Sequence, residues 1–505
     1  MASADTLSLF NTLTGQVEPV RPIEPGVLRF YSCGPTVYAY AHIGNFRSFL
    51  TADLIVRAAR MLGWEVRYVT NVTDVGHLTD DDLADAAGED RMAKALRSES
   101  GRRFANVYDL ARYYTDVLLS DWRSLNLTEP TVRPRATEHI MQQIQAIERL
   151  LEAGAAYPTS KGVYFSVEAF GDYGKLSGNR DAESLEQGVR DVVQDEQKRD
   201  PRDFALWKKD PGHLMQWHSP WGWGFPGWHI ECSVMATQYL GEQIDIHAGG
   251  EDLIFPHHEC EIAQAESLTG KPFARHWVHT RFLQVEGEKM SKSKGNFYTV
   301  RDLIGRPEEG GRGVDPMALR LALISGQYRN PFNFTFETLK ASLRHVERLR
   351  SAFDTVRAAL ERGEDGADRL GERLGRLRSE MVAEMLDDLN TPAALARAIE
   401  GTKLIQGIGE RLNAASARSA LEFLEATNRL LGIPFHDDSE ERVDAGTAAR
   451  DDLAMRVEEL LAERAAARKN RDFERADEIR GELDAMGIEV MDSPEGSSWR
   501  RKPGI

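Results

Sequence analysis

Cysteine is scarce in this 505-residue chain: Cys33, Cys232 and Cys260 are its only three. Thiols so few and so far apart make no disulfide framework. They are expected to be reduced or metal-bound, in a reducing, cytoplasmic compartment. Long hydrophobic runs are missing as well, and no stretch approaches the ~18 consecutive apolar residues that a membrane span needs. No basic residue precedes Arg21, so no secretory signal is expected. Positive charge is short: 63 Lys and Arg against 80 Asp and Glu leave a formal net charge of −17. That balance argues against nucleic-acid binding over the whole surface. It leaves room for a local basic patch, because attraction to phosphate is screened within about 10 Å at moderate salt. Internal repeats and low-complexity tracts are also absent. What is present is the composition of an ordinary globular protein, 41% hydrophobic and 28% charged, with a length that predicts roughly two to four domains.

The first segment alternates. "VLRFYSC" (27–33) has the apolar and aromatic content of a buried strand, and "GPTVYAYAHIGN" supplies turn residues. "FRSFLTADLIVRAARML" carries helical periodicity through Phe46, Phe49, Leu50, Leu54 and Ala58, and "EVRYVTNVTD" is a second strand candidate. A helix between two buried strands predicts a parallel βαβ unit. Residues near 120–225 read as an insertion of helical stretches ("HIMQQIQAIERLLEAG") and Gly-rich or charged loops. Alternation then resumes, with "QIDIHAG" strand-like and "ECEIAQAESLTG" helical. After about residue 315 the pattern is helical, up to an acidic, apolar-poor linker, "FHDDSEERVDAGTAARDD". Beyond it, Leu453, Val457, Leu460 and Leu461 form one amphipathic stripe, and Phe473, Ala476, Ile479, Leu483 and Met486 another. "GIEVMDSPEGSSWRR" reads as a strand, a turn and a short end.

Three peptides carry chemistry. In "FPHHECEIAQAE" (255–266), a helix would place His257, Cys260 and Glu261 on one face. That is either a polar helix face with a buried cysteine or half of a metal site, with Cys260 and Glu261 both open as the partner of His257. "KMSKSKGN" (289–296) alternates Lys289, Lys292 and Lys294 with small hydroxyl and glycine residues. Ammonium groups on such a loop suit a polyphosphate whose charge they neutralise in the transition state. "HIGN" (42–45) falls where the first strand's loop enters a helix. An imidazole there can donate to phosphate beside free backbone N–H groups, and Gly44 is expected to let a nucleotide approach the backbone.

"HIGN" with "KMSKS" resembles the signature pair of class I aminoacyl-tRNA synthetases. "YSCGPTVYAYAHIGNFRS", "PGWHIECSVMA" and "DIHAGGEDLIFPHHECEIAQAE" resemble the cysteinyl-tRNA synthetases in particular, as do "KRDPRDFALWK", "DLNTP" and the C-terminal "WRR". The likeness spans nearly the whole chain. It implies an α/β fold with a Rossmann-like catalytic domain (1–120 and 226–305) interrupted by a connective insertion (121–225). A junction with a helical-bundle tRNA-binding domain (306–435), a linker (436–450) and a small anticodon-recognition domain (451–505) would follow.

The resemblance further implies one zinc ion held by Cys33, Cys232, His257 and Glu261, so that only the likeness selects Glu261, while His258 and Glu259 drop out as direct ligands. Cys260 stands where relatives often have asparagine and is a potential competitor for the metal. The implied role of zinc is to separate cysteine from serine by taking the substrate thiolate as an added ligand or in place of Glu261, since pocket fit alone is worth only about 1–3 kcal/mol. The implied reaction activates L-cysteine with ATP and Mg2+ and passes the acyl group to tRNA(Cys). His42 and Asn45 fall on the phosphate and ribose side, Lys289 and Lys292 on the phosphate and pyrophosphate side. Asp252 is a ribose ligand or a helix cap, and Trp228 lines the amino-acid pocket or belongs to the core. Arg468, Asp492, Trp499 and Arg500 match positions that read the anticodon, whereas His77 has no assigned role. A monomer with no membrane association is expected. Two other functions fit less well: a cysteine ligase of thiol biosynthesis acting on an amino-sugar, and a non-catalytic nucleic-acid-binding paralogue.

Overall fold

The computed structural model describes residues 6–76, 78–80, 87–179 and 197–435, and in the C-terminal part 460, 461, 463, 464, 467, 472–485, 488–493 and 496–501. His77, Leu453, Val457, Arg468, Met486 and the acidic linker after Phe435 lie outside them.

The centre is a parallel sheet built from near-continuous apolar strands, as burial on both faces demands. In chain order its elements are β1 (Val27–Ser32), α1 (Ile43–Met61), β2 (Glu65–Thr70), α2 (Val107–Ser124), α3 (Trp228–Leu240), β3 (Ile244–Gly250), α4 (Glu259–Thr269) and β4 (Ala274–Thr280). The strands lie side by side as β4-β3-β1-β2, and all three pairings are parallel. The βαβ unit expected from the sequence is therefore present. Its helix starts three residues early, at Ile43, because His42 caps it. The order reverses between β1 and β3, with Ala248 beside Ser32 and the Cys33 N–H bonded to the Ala248 carbonyl at 3.0 Å. Connections leave such a reversal on opposite faces of the sheet, and a crevice opens at the strands' carboxyl ends.

The insertion departs from its sequence reading. Beside the helix Ile140–Glu152 it holds a five-stranded sheet in the order Trp217–Ser219, Gly222–Pro226, Phe204–Lys208, Gly162–Phe165, Ala156–Pro158, with every pairing antiparallel. Strands of three to five residues broken by Gly and Pro carry too little periodicity to stand out. Ile144, Ile147, Leu150, Phe165, Phe204 and Trp207 form its core.

The last third is helical as expected: Phe336–Arg362, Gly371–Leu386, Thr391–Ile408 and Ala414–Leu431 pack together. Two buried polar hubs fasten this bundle to the sheet domain. Asp53 on α1 pairs with Arg320, which also donates to the carbonyls of Leu431 (2.7 Å) and Leu125 (2.9 Å). Asp388, in the "DLNTP" turn, accepts from the Tyr328 hydroxyl at 2.5 Å and from the Phe10 N–H at 2.8 Å. Asp388 and Leu389 adopt φ of 55° and 48° to make that turn. At the C-terminus, the helix Phe473–Ala485 buries Ala476, Ile479 and Leu483. The expected short end is instead a strand: Ile488–Ser493 and Gly496–Arg501 form an antiparallel hairpin with Val490 opposite Trp499.

Candidate active site and metal centre

Both signature peptides meet at the N-terminus of α1. His42 is its cap: Nδ1 accepts from the Asn45 N–H at 3.2 Å, while Asn45 Oδ1 accepts from the His42 N–H at 3.1 Å. Since Nδ1 is an acceptor, a neutral His42 carries its proton on Nε2. Burial, reinforced by Lys292, lowers its pKa to about 4. The result is a neutral imidazole with one N–H left to donate. A Cβ on Gly44 would lie 2.9 Å from His42 Nδ1. The glycine therefore makes room for the capping ring.

The lysine loop is anchored on this cap. The Ile43 N–H bonds the Tyr298 carbonyl at 3.0 Å, and His42 bridges Thr299. Phe297 lies edge-on to His42, ring centres 5.3 Å apart, and carries Lys292 Nζ at 5.2 Å on its ring. Asn296 braces the turn, accepting from the Ser291 N–H at 2.8 Å and donating to the Lys289 carbonyl at 3.2 Å. Lys289 and Lys292 are exposed, whereas Lys294 is paired with Glu288 at 3.0 Å.

The metal-ligand candidates come from three elements around the reversal point. Cys33 follows β1, Cys232 lies in α3, and His257, in the turn Ile254–His258, stands four residues before Glu261 in the first turn of α4. Their Sγ, Sγ, nitrogen and oxygen atoms all lie within 4.8 Å of one another, and all four residues are buried. Glu261 Oε1 is 3.0 Å from His257 Nε2 and 3.5 Å from Cys33 Sγ. A bond from Cys33, against the opposing effect of burial, draws the Cys232 thiol down to about 6. The Cys33 thiol is pushed up, first by burial and then by Cys232. Burial works against the charge of His257, yet Glu261 and Cys232 raise it to about 10. Glu261 is likewise held at about 2 by His247 and His257 against burial. Two thiols, an imidazole and a carboxylate are a tetrahedral zinc donor set, so the residues fit the metal.

A second set shares two of these donors. Cys33, His247, His258 and Glu261 also fall within 4.8 Å of one another. His258, set aside by the resemblance as a direct ligand, places Nε2 3.4 Å from Cys33 Sγ. Its Nδ1 is 2.8 Å from His279 Nε2, and His279 Nδ1 is 2.7 Å from Thr12 Oγ1. Burial keeps His258 and His279 neutral, the latter lowered to about 3. His247 and His279 were missed in the sequence. Their only signal is a histidine inside each of two apolar strands, "QIDIHAG" and "HWVHT".

Other candidates separate cleanly. Cys260 turns away from the cluster into the insertion's core, 3.5 Å from the Tyr173 hydroxyl. Glu259 accepts from the N–H groups of Gly174, Leu176 and Ser177 at 2.8–3.1 Å and so fastens an insertion loop. Trp228, half-buried at the start of α3, stacks on His257 with ring centres 4.3 Å apart. Asp252 is exposed inside the 3-10 turn Glu251–Leu253 after β3, not at its cap. Asp492, Trp499 and Arg500 lie on the C-terminal hairpin.

A parallel sheet with this reversal, a capped signature helix and a lysine loop docked on it define a class I aminoacyl-tRNA synthetase. The family model of the class I (C) tRNA synthetase catalytic domain matches residues 19–344, and that of the cysteinyl-tRNA ligase anticodon binding domain matches 450–500. The chain belongs to the cysteine–tRNA ligase family. It is 59% identical to the cysteine–tRNA ligase of Salinibacter ruber over 99% of both chains. It is 41% identical to that of Deinococcus radiodurans over 98% of this chain and 97% of the relative. Among solved structures, Mycobacterium tuberculosis methionyl-tRNA synthetase in complex with methionyl-adenylate shares the fold. Its TM-score is 0.55 at 14% identity, over 80% of this chain and 92% of that one.

Proposed function

We propose that this chain ligates L-cysteine to tRNA(Cys) with ATP, through a cysteinyl-adenylate. The observation that carries this reading is the convergence of two thiols, an imidazole and a carboxylate within 4.8 Å in the same domain whose crevice holds the His42 cap and the lysine loop. In the first step a carboxylate oxygen of cysteine attacks the α-phosphorus of ATP, the bond to the β-phosphate oxygen breaks, and pyrophosphate leaves. His42 Nε2–H and the amide of Asn45 donate on the phosphate and ribose side. Lys289 and Lys292 neutralise the charge that builds on the α-phosphate and the leaving pyrophosphate, which travels with Mg2+. Positioning and charge stabilisation suffice for such a transfer, so no protein nucleophile is needed. In the second step the 3′-terminal ribose hydroxyl of the tRNA attacks the acyl carbon and AMP departs.

Cys33, Cys232, His257 and Glu261 would hold one zinc ion, preferred over the overlapping set because it brings both thiols together. Zinc bound there supplies a Lewis acid that attracts a soft thiolate far more strongly than a hydroxyl. Trp228, lying on His257, walls the amino-acid pocket, and Asp252 holds the ribose of the nucleotide. Arg468, Asp492, Trp499 and Arg500 read the anticodon from a domain beginning near residue 451, and the chain acts as a cytoplasmic monomer. The match over 450–500 supports tRNA over an amino-sugar as acceptor. The deciding experiment is AMP release with cysteine and ATP in the presence of either acceptor. Release that depends on tRNA is expected; release that depends only on an amino-sugar would overturn the reading.

A further inference from the structure

Beside the "HIGN" turn lies a group of aromatic and basic side chains that no step above uses. Tyr40, two residues before His42, is 37% exposed. Its hydroxyl is 3.0 Å from that of Tyr113, and its ring meets Tyr114 edge-on with centres 5.2 Å apart. The Arg103 guanidinium lies 4.3 Å from the centre of the Tyr113 ring and 4.8 Å from that of Phe104. Arg102 and Arg103 are both exposed, at the end of a segment, 91–103, that carries Arg91, Lys94, Arg97, Arg102 and Arg103 against Glu99 alone. The cluster is also placed at the chemistry. Tyr40 lies two residues before His42, which bridges Thr299, the cap of the short helix Val300–Ile304.

We propose that Tyr40, Arg103 and Tyr113 form a stacking platform for the unpaired 3′-terminal nucleotides of the tRNA. The exposed ring of Tyr40 and the planar guanidinium that lies on the half-buried Tyr113 can stack on unpaired bases without regard to sequence, and arginine also pairs with the connecting phosphates. A duplex offers no ring faces to such a surface, whereas the strand that must reach an adenylate beside His42 does. The inference rests on the proposed acyl transfer to tRNA and adds the surface that guides the acceptor end to it. Arg103, already packed on two rings, is ordered before the strand arrives, which lowers the entropic cost of binding.

The test uses the full chain with Tyr40→Ala, Tyr40→Phe and Arg103→Ala. Cysteine-dependent pyrophosphate exchange reports adenylate formation. Binding is measured for intact tRNA(Cys) and for the same tRNA trimmed of its unpaired 3′ nucleotides. Tyr40→Ala and Arg103→Ala are expected to weaken binding of intact tRNA on the order of tenfold, to leave the trimmed tRNA's binding unchanged, and to spare exchange. Tyr40→Phe keeps the ring and should bind intact tRNA as the parent does. Equal losses on both tRNAs, no loss on either, or a parallel fall in exchange would overturn the platform. A parent enzyme that binds tRNA but charges none would strike the functional reading alone, and the binding comparison would still decide the platform.

Discussion

Nε2 of His247 lies 2.9 Å from Oε2 of Glu261, and both side chains are wholly buried. One oxygen of the carboxylate is thus committed to an imidazole on β3, while the other faces His257 and Cys33. The bond orients Glu261 for the metal from a strand that supplies no ligand to the proposed zinc set.

His247→Ala should therefore weaken zinc binding although all four proposed ligands remain. Partners that orient ligands are typically worth about 10–100-fold in metal affinity. Competition with a chelator measures it, and His247→Gln, whose amide can still donate to Oε2, should recover part of the loss. Unchanged affinity in His247→Ala would remove His247 from the account.

His42 combines a cap and a phosphate donor, and one substitution separates them. Asparagine is a good cap, so His42→Asn should keep the melting temperature close to the parent's. It removes the Nε2–H, and cysteine-dependent pyrophosphate exchange should fall by about 10²–10³-fold, as for other lost donors of charge stabilisation. A large drop in melting temperature with near-normal exchange would mean that the residue serves only the helix.

Asp121 on α2 is ion-paired with Arg301, just beyond the lysine loop. Burial raises its pKa from 3.8 to about 6, and Arg301 offsets this only in part. Because the folded pKa is the higher one, the folded state binds more protons between these values. Stability is then greatest below about pH 4 and declines as pH rises through about 6, by on the order of 2–3 kcal/mol from this group. Asp121→Asn lacks the ionisation. Urea unfolding across that range should show the parent losing stability relative to the variant as pH rises, and a constant difference would contradict the assignment.

The sheet and the signature peptides were legible in the sequence because their physics is local. β1, α1 and β3 are apolar runs with clear periods, and "HIGN" and "KMSKSKGN" are contiguous. The zinc set was half legible: one helix turn offered His257 with either Cys260 or Glu261, and only the structure shows Cys260 buried in a different core. Cys33 and Cys232 meet there because β1 and β3 are neighbours although more than 200 residues separate them, a relationship no local pattern encodes. The insertion's sheet was hidden by strands too short to show a period. The aromatic cluster at Tyr40 was hidden because it joins a loop to the remote residues 103–114.

Zinc content measured together with pyrophosphate exchange on cysteine and on serine, for the parent chain and for Cys232→Ser, tests the selecting role of the metal most directly. One zinc per parent chain, exchange with cysteine and none with serine are expected, with loss of both metal and cysteine-dependent exchange in Cys232→Ser. Full cysteine-dependent exchange from a zinc-free Cys232→Ser chain would contradict that role.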